Sequence, residues 1–119
     1  MPIKGAPHFT WPELGSPPKG LRPNGRRLAR ALEDLRHRCG DRPLRVLSGY
    51  RTAEHNAAVG GAPHSAHLRC LAADIPRGYC TLEQALAAGF TGVGVDGQDV
   101  VHVDVRPGPV TVFKDHPKA

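Results

Sequence analysis

The stretch "SAHLRCLAAD", Ser65 to Asp74, sets a histidine and an aspartate seven residues apart, with a serine two places before the histidine. Two readings are open. One is a surface loop feeding a buried strand. The other is a pair of metal ligands, which obliges the chain to supply a third ligand elsewhere. "LAADI" reads as a short strand with Asp74 near its end. Downstream, "VVHVDVR" carries His102 on a strand able to lie beside Asp74. Two imidazoles and one carboxylate (His67, Asp74, His102) leave a zinc ion one open position, the ligand count of a catalytic rather than a structural site.

The segments around these residues set the fold class. "TGVGV" and "VVHVDVR" flank a loop containing Asp96-Gly97, a hairpin signal. On the second strand Val101, Val103 and Val105 face the core, while His102, Asp104 and Arg106 face away. Strict alternation puts Asp99 opposite His102, so the two share a face only if the chain bends between them. "TLEQ" is a capping box, with Thr81 as N-cap and Gln84 at the third position, opening a helix that stops at Gly89. Thr52 caps another short helix ending at Gly60-Gly61.

Upstream, "PLRVLSGY" alternates as a strand with Leu44, Val46 and Ser48 on one side. From Arg26 the pattern is helical, with Leu28, Ala31, Leu32, Leu35 and Cys39 on one stripe. Asn24 is the expected N-cap and Gly40 the expected C′ residue, and Pro43 blocks any restart. Residues 1–23, rich in Pro and Gly, read as an irregular wrap anchored by Phe9, Trp11 and Leu14. These elements predict one α+β domain over 1–119, a small antiparallel sheet with helices packed on it.

Composition narrows the function. A chain of 119 residues, 39% hydrophobic and 23% charged, fits one globular domain. No run reaches the ~20 apolar residues of a membrane span. The opening "MPIKGAPHFTWPEL" lacks the apolar segment of a secretory signal, so three alternatives are expected: a cytosolic stay, exit by lysis or another route, or a fragment whose signal is absent. The three cysteines cannot all pair within one chain, and no CxxC occurs. Cys39 reads as a small buried hydrophobe on a helix, and a Cys70–Cys80 disulfide is allowed but not demanded.

Residues 1–51 carry 11 Lys/Arg against 4 Asp/Glu, and the remainder 5 against 7. A basic half suits a solvated helix face or a polyanion, either nucleic acid or an anionic cell-wall polymer. Only six Phe, Trp and Tyr residues are present and no docking motif appears, which argues against nucleic acid. Tyr50 and Asn56 read as structural. His55 and His64 fit no ligand slot, and His8, His37 and His116 read as solvent-exposed.

Taken together, "SGYRTAEHNAAVGG", "SAHLRCLAADI" and "HVDVR", with "HFTWPEL" near the start, resemble the zinc D-alanyl-D-alanine carboxypeptidase family. That family also holds vancomycin-resistance D,D-dipeptidases and phage L-alanyl-D-glutamate endopeptidases, and the likeness is to its small, often phage-associated branch. Its signature, S-x-H-x6-D followed by D/E-x-x-H, is met by Ser65, His67, Asp74, Asp99 and His102. The resemblance implies a fold like that of D,D-peptidases and the hedgehog signalling domain, with one Zn2+ per chain on His67, Asp74 and His102. It implies that Asp99 is the general base, that Arg51 stabilises the oxyanion and contacts substrate, and that Ser65 holds the substrate backbone or terminal carboxylate. Asp96 and Asp104 are reserve bases, Asp104 fitting better as a group that orients a ligand. Cys70 stands where the family has glycine, so a side chain must be accommodated close to the metal, with a competing thiolate ligand as the minor alternative.

The activity so implied is hydrolysis of D-amino-acid-containing peptidoglycan stem peptides through a zinc-activated water, as an endolysin-like, cell-wall-degrading metalloprotease. Action at the wall and a monomeric chain are expected with it. The alternative is a non-catalytic zinc-binding module on the same scaffold.

Overall fold

The structure, a computed structural model, describes residues 1–115; His116, expected at the surface, lies outside them. The site is built on a four-stranded sheet whose centre is the expected hairpin. β3 (Ala72–Asp74), β4 (Gly92–Asp96), β5 (Asp99–Asp104) and β6 (Thr111–Lys114) lie in the order β3-β5-β4-β6. β5 pairs antiparallel with both neighbours, with Asp74 opposite His102 and Gly94 opposite His102 on its other side. Gly97 adopts φ +64° at the turn, where a side chain would be strained. β6 adds a strand that the sequence reading did not foresee, and it runs parallel to β4, so the sheet is mixed rather than wholly antiparallel.

The N-terminal wrap is more regular than expected. β1 (Pro2–Ile3) and β2 (Ala6–Thr10) form a two-stranded antiparallel ribbon. Of the expected anchors, Phe9 and Leu14 are fully buried and Trp11 packs partly exposed against the core. Trp11 also lies under the guanidinium of Arg22, 5.2 Å from the ring centre.

The long helix α1 spans Arg22–Arg38, four residues earlier than its stripe suggested, because Pro23 is accommodated in its first turn. Asn24 does not cap it; its Nδ2 donates to the Arg69 carbonyl at 3.0 Å and ties the helix to the site segment. The helix ends as expected at Gly40. The Gly40 N–H bonds to His37 O (3.1 Å) and the Asp41 N–H to Arg36 O (3.0 Å), a Schellman stop. Leu28, Leu32 and Leu35 bury completely in the core, on a helix that packs against β2 and the later helix Leu82–Ala87. Cys39 is only half-buried at the end of the helix.

α2 (Ala53–Ala58) is capped by Thr52, and α3 (Leu82–Ala87) by the Thr81–Gln84 box. "PLRVLSGY" is the main departure. It forms no strand, only a single antiparallel bridge from Ser48 to Asp74, and Leu47 is left exposed. Its backbone is spent elsewhere: Leu47 N–H on Asp74 O at 2.8 Å, and Tyr50 N–H on Leu14 O at 2.8 Å.

Candidate functional site

Three elements bring the ligand candidates together. His67 lies on a one-turn 3-10 helix, Ala66–Arg69, whose N-cap Ser65 accepts from the His67 N–H at 3.2 Å. Asp74 ends β3, and His102 is its cross-strand partner on β5. One ligand atom from each of His67, Asp74 and His102 lies within 4.8 Å of the others. Asp74 Oδ1 sits 3.3 Å from His67 Nε2 and 3.3 Å from His102 Nδ1. Ligands ~2.0–2.2 Å from a tetrahedral ion stand ~3.3–3.5 Å apart along the tetrahedron's edge, so this spacing fits a single zinc-sized ion.

Each ligand atom is aimed by what holds the other end of its side chain. His67 Nδ1 donates to the Gly49 carbonyl at 2.7 Å, which leaves Nε2 to face Asp74. His102 is reversed: Nε2 binds Asp104 Oδ2 at 2.7 Å, which leaves Nδ1 for the cleft. Asp74 Oδ2 accepts from Arg51 Nη2 at 2.8 Å. Such outer partners fix tautomer and ring orientation before an ion arrives. The two imidazole rings meet edge to face, 5.2 Å between centres.

Asp104 is fully buried, clamped by His102 and by a two-point contact from Arg106, Nε to Oδ1 at 2.8 Å and Nη2 to Oδ2 at 2.6 Å. Both of its oxygens are thus engaged, and one of them holds the His102 ring in its orientation. Gly92 makes this possible. A Cβ there would stand 2.2 Å from the Asp104 carboxylate. Gly94 clears the same face, since its Cβ would come within 2.8 Å of the His102 Cβ. The "GVGV" of β4 thus turns valines to the core and glycines to the site.

Charge follows this geometry. Burial would raise the Asp74 carboxyl, but hydrogen bonds from His102 and His67 hold it well below its ordinary value. Burial likewise opposes ionisation of Asp104, and His102 and Arg106 outweigh it. Burial works against the His102 cation, yet bonding to Asp104 and then Asp74 pushes its pKa up to about 9. A proton on Nδ1 occupies the place an ion would take.

The other expected residues divide. Arg51 is buried in the cleft wall, with Nε on Ser48 Oγ (3.0 Å) and Nη1 on Asn56 Oδ1 (3.4 Å), so much of its fork is spent on positioning Asp74. Asn56 is structural as expected, and what it braces is Arg51. Ser65 lines the cleft, its Oγ accepting from the His67 N–H.

Asp99 is not brought into the cleft. A bulge between Gly94 and Val95 pairs Gly94 with His102 and Asp96 with Asp99, which puts Asp99 on the face of His102 despite the strict-alternation expectation. Its carboxylate turns instead to Arg77 Nη1 at 3.2 Å, and Arg77 also binds Asp96. The same bulge buries Val100 along with Val101, Val103 and Val105. Cys70 turns away from the ligands, its sulfur facing Gly25 of α1, and burial pushes its thiol up to about 11, so it offers no competing thiolate. It holds a left-handed φ of 57°, a conformation that favours glycine. All three cysteines are free; burial pushes the Cys80 thiol up to about 12, with a smaller push from Cys39 and none from Cys70.

Sequence reasoning missed His64, Arg69, Phe113 and Asp115, which also line the cleft. His64 and Arg69 had a signal in flanking the His67 motif. Phe113 and Asp115 had none, because only the parallel pairing of β6 brings them there. His8 and His37 are exposed as expected, bonded to Glu33 and Asp41.

Fold and donor set describe a small α+β protein with, among the described residues, three side chains placed to hold a single metal ion. Residues 14–104 match the family known as peptidase M15, and the chain belongs to that family. This bears out the resemblance read from "SAHLRCLAADI" and "HVDVR" and places the chain among the peptidases. Over 80 residues it is 41% identical to the zinc D-Ala-D-Ala carboxypeptidase of Streptomyces albus G, a match covering 60% of this chain and 31% of that protein. The matched region thus spans under a third of the relative's length.

Proposed function

We propose that the chain is a zinc-dependent peptidase acting on the D-amino-acid-containing stem peptides of peptidoglycan. The reading covers D-Ala-D-Ala carboxypeptidase and L-Ala-D-Glu endopeptidase action, and cell-wall degradation of the endolysin kind outside the cytoplasm. The observation that carries it is the convergence of His67 Nε2, Asp74 Oδ1 and His102 Nδ1, each with its opposite atom already held. When bound, zinc supplies a Lewis acid and makes water a nucleophile near neutral pH.

The chain's own side chains supply the rest. His67, Asp74 and His102 bind the ion. Arg51 holds Asp74 in place through its far oxygen and turns what remains of its fork to the carbonyl oxygen, where negative charge develops. The Ser65 hydroxyl donates to the peptide backbone or its terminal carboxylate. Among the cleft arginines, Arg51 and Arg106 are engaged by Asp74 and Asp104, while Arg69 is exposed, so it is the cation that offers itself to an anionic substrate. The basic half of the chain suits an anionic cell-wall polymer. Among the described residues no helix is long and apolar enough to cross a membrane, and the chain is read as working as a monomer.

A second reading, a zinc module without catalysis, draws on the Asp99–Arg77 pair, which leaves the expected base outside the cleft. Mass spectrometry of muropeptides incubated with the zinc-loaded protein, with and without a chelator, separates the two. A chelator-sensitive product supports the peptidase, and its mass names the bond. One zinc per chain with no product from either peptide type supports the silent module.

A further inference from the structure

The carboxylate expected to carry the proton, Asp99, is turned to Arg77 outside the cleft, and among the described residues the cleft is lined by one carboxylate besides the ligand Asp74. Asp74 is held by Arg51 and two histidines, Asp104 is sealed under His102 and Arg106, and Asp96 and Asp99 sit on Arg77. Asp115 follows β6, its N–H on the Val95 carbonyl at 2.8 Å, an extension of the parallel ladder. Its Oδ2 stands 3.8 Å from His102 Nδ1, the atom that faces the ion, and its side chain is 24% exposed to the cleft.

It is not one of the three residues whose ligand atoms lie within 4.8 Å of one another, so it is a neighbour of the donor set rather than a member. Gly94 permits the approach, since a Cβ there would come within 2.9 Å of the Asp115 Cβ and 3.0 Å of the Phe113 ring. Asp115 also lies beyond the 14–104 stretch that matches the family, so family membership assigns it nothing.

We infer that Asp115 is the proton carrier of the reaction, an inference that rests on the peptidase reading above. As the water oxygen bonds to the peptide carbonyl carbon, one water proton passes to the Asp115 carboxylate. As the carbon–nitrogen bond breaks, that proton passes to the departing amine, which leaves a carboxylic acid, an amine and Asp115 ionised again. A carboxylate 3.8 Å from the ligand atom stands within hydrogen-bond reach of a water held beside that atom.

The test compares wild type, Asp115→Asn, Asp115→Glu and Asp99→Asn, each zinc-loaded and checked for fold by circular dichroism. The readouts are zinc affinity by chelator competition, hydrolysis of a peptide ending in D-Ala-D-Ala, and hydrolysis of 4-nitrophenyl acetate, an ester that needs no peptide recognition. Expected are zinc affinity within about threefold of wild type for Asp115→Asn, a kcat lower by ~10²–10⁴-fold at little-changed KM, and partial recovery in Asp115→Glu.

An undiminished rate in Asp115→Asn overturns the assignment. So does a loss of zinc affinity that matches the loss of rate, which would make Asp115 a ligand, and so does a catalytic loss that falls on Asp99→Asn instead. If wild type cleaves no peptide but its ester hydrolysis falls in Asp115→Asn, the proton carrier stands and the substrate reading fails. A zinc-loaded wild type that turns over neither substrate overturns both.

Discussion

The β4–β5 hairpin carries two clusters of opposite charges, and they differ in nearly everything but composition. At its tip Arg77 bridges Asp96 and Asp99 with side chains 48%, 26% and 45% exposed. At its base Asp104 and His102, 0% and 7% exposed, lock with Arg106 and Asp74. Exposed pairs trade protein contacts for water at almost no net gain. Buried ones must be fully satisfied, and in return they fix each side chain in one orientation. The base can therefore present three aimed ligand atoms, while the tip only dresses a turn.

The largest effect belongs to the ligands. Asp74→Ala or His102→Ala should abolish stoichiometric zinc, read by mass spectrometry of the metal after dialysis, and hydrolysis with it. Retention of one zinc per chain by either variant would break the contrast at its centre. Next comes Asp104→Ala, which strands Arg106 and frees His102 Nε2. Its expected cost is ~3–5 kcal/mol in urea unfolding, with zinc affinity ~10–100-fold weaker. A cost as small as that of a surface pair would show the buried network to be ornamental.

Protons should compete with the ion. The folded His102 pKa is raised to about 9, so in the metal-free protein its interaction with Asp104 contributes stability fully below the unfolded value of ~6.5. That contribution fades as pH rises through about 9. Zinc needs Nδ1 bare, so affinity should climb with pH across this window and binding should release a proton. Calorimetry in buffers of different ionisation enthalpy measures that release; pH-independent affinity would contradict the Nδ1 assignment. The smallest effect is at the tip, where Arg77→Ala should leave the unfolding midpoint and zinc affinity unchanged within error.

What was legible followed local rules. The α1 stripe, the Schellman glycine, the Thr81–Gln84 box and the Asp96-Gly97 turn each depend on residues a few positions apart, and each formed. His67, Asp74 and His102 were legible because a metal constrains residue type strongly, and the family resemblance added their order. The remainder depended on long-range partners. "PLRVLSGY" alternates like a strand, but the site draws Ser48 and Gly49 onto Arg51 and His67, leaving no ladder to extend. The exposed "TVFK" carries no burial pattern, so nothing local announces that it pairs with β4 and delivers Asp115 to the cleft. Asp99 shows the limit of spacing: three residues before His102 is a statement about sequence, and Arg77, 22 residues upstream, decides where the carboxylate turns.

The most direct test of the central claim is a crystal structure of the zinc-loaded protein with the ion located by its anomalous signal. A single zinc is expected, bonded to His67 Nε2, Asp74 Oδ1 and His102 Nδ1, with Arg51 still on the far oxygen of Asp74 and one position open to the cleft. Zinc bound through His102 Nε2, through the Cys70 sulfur, or away from these three residues would contradict it.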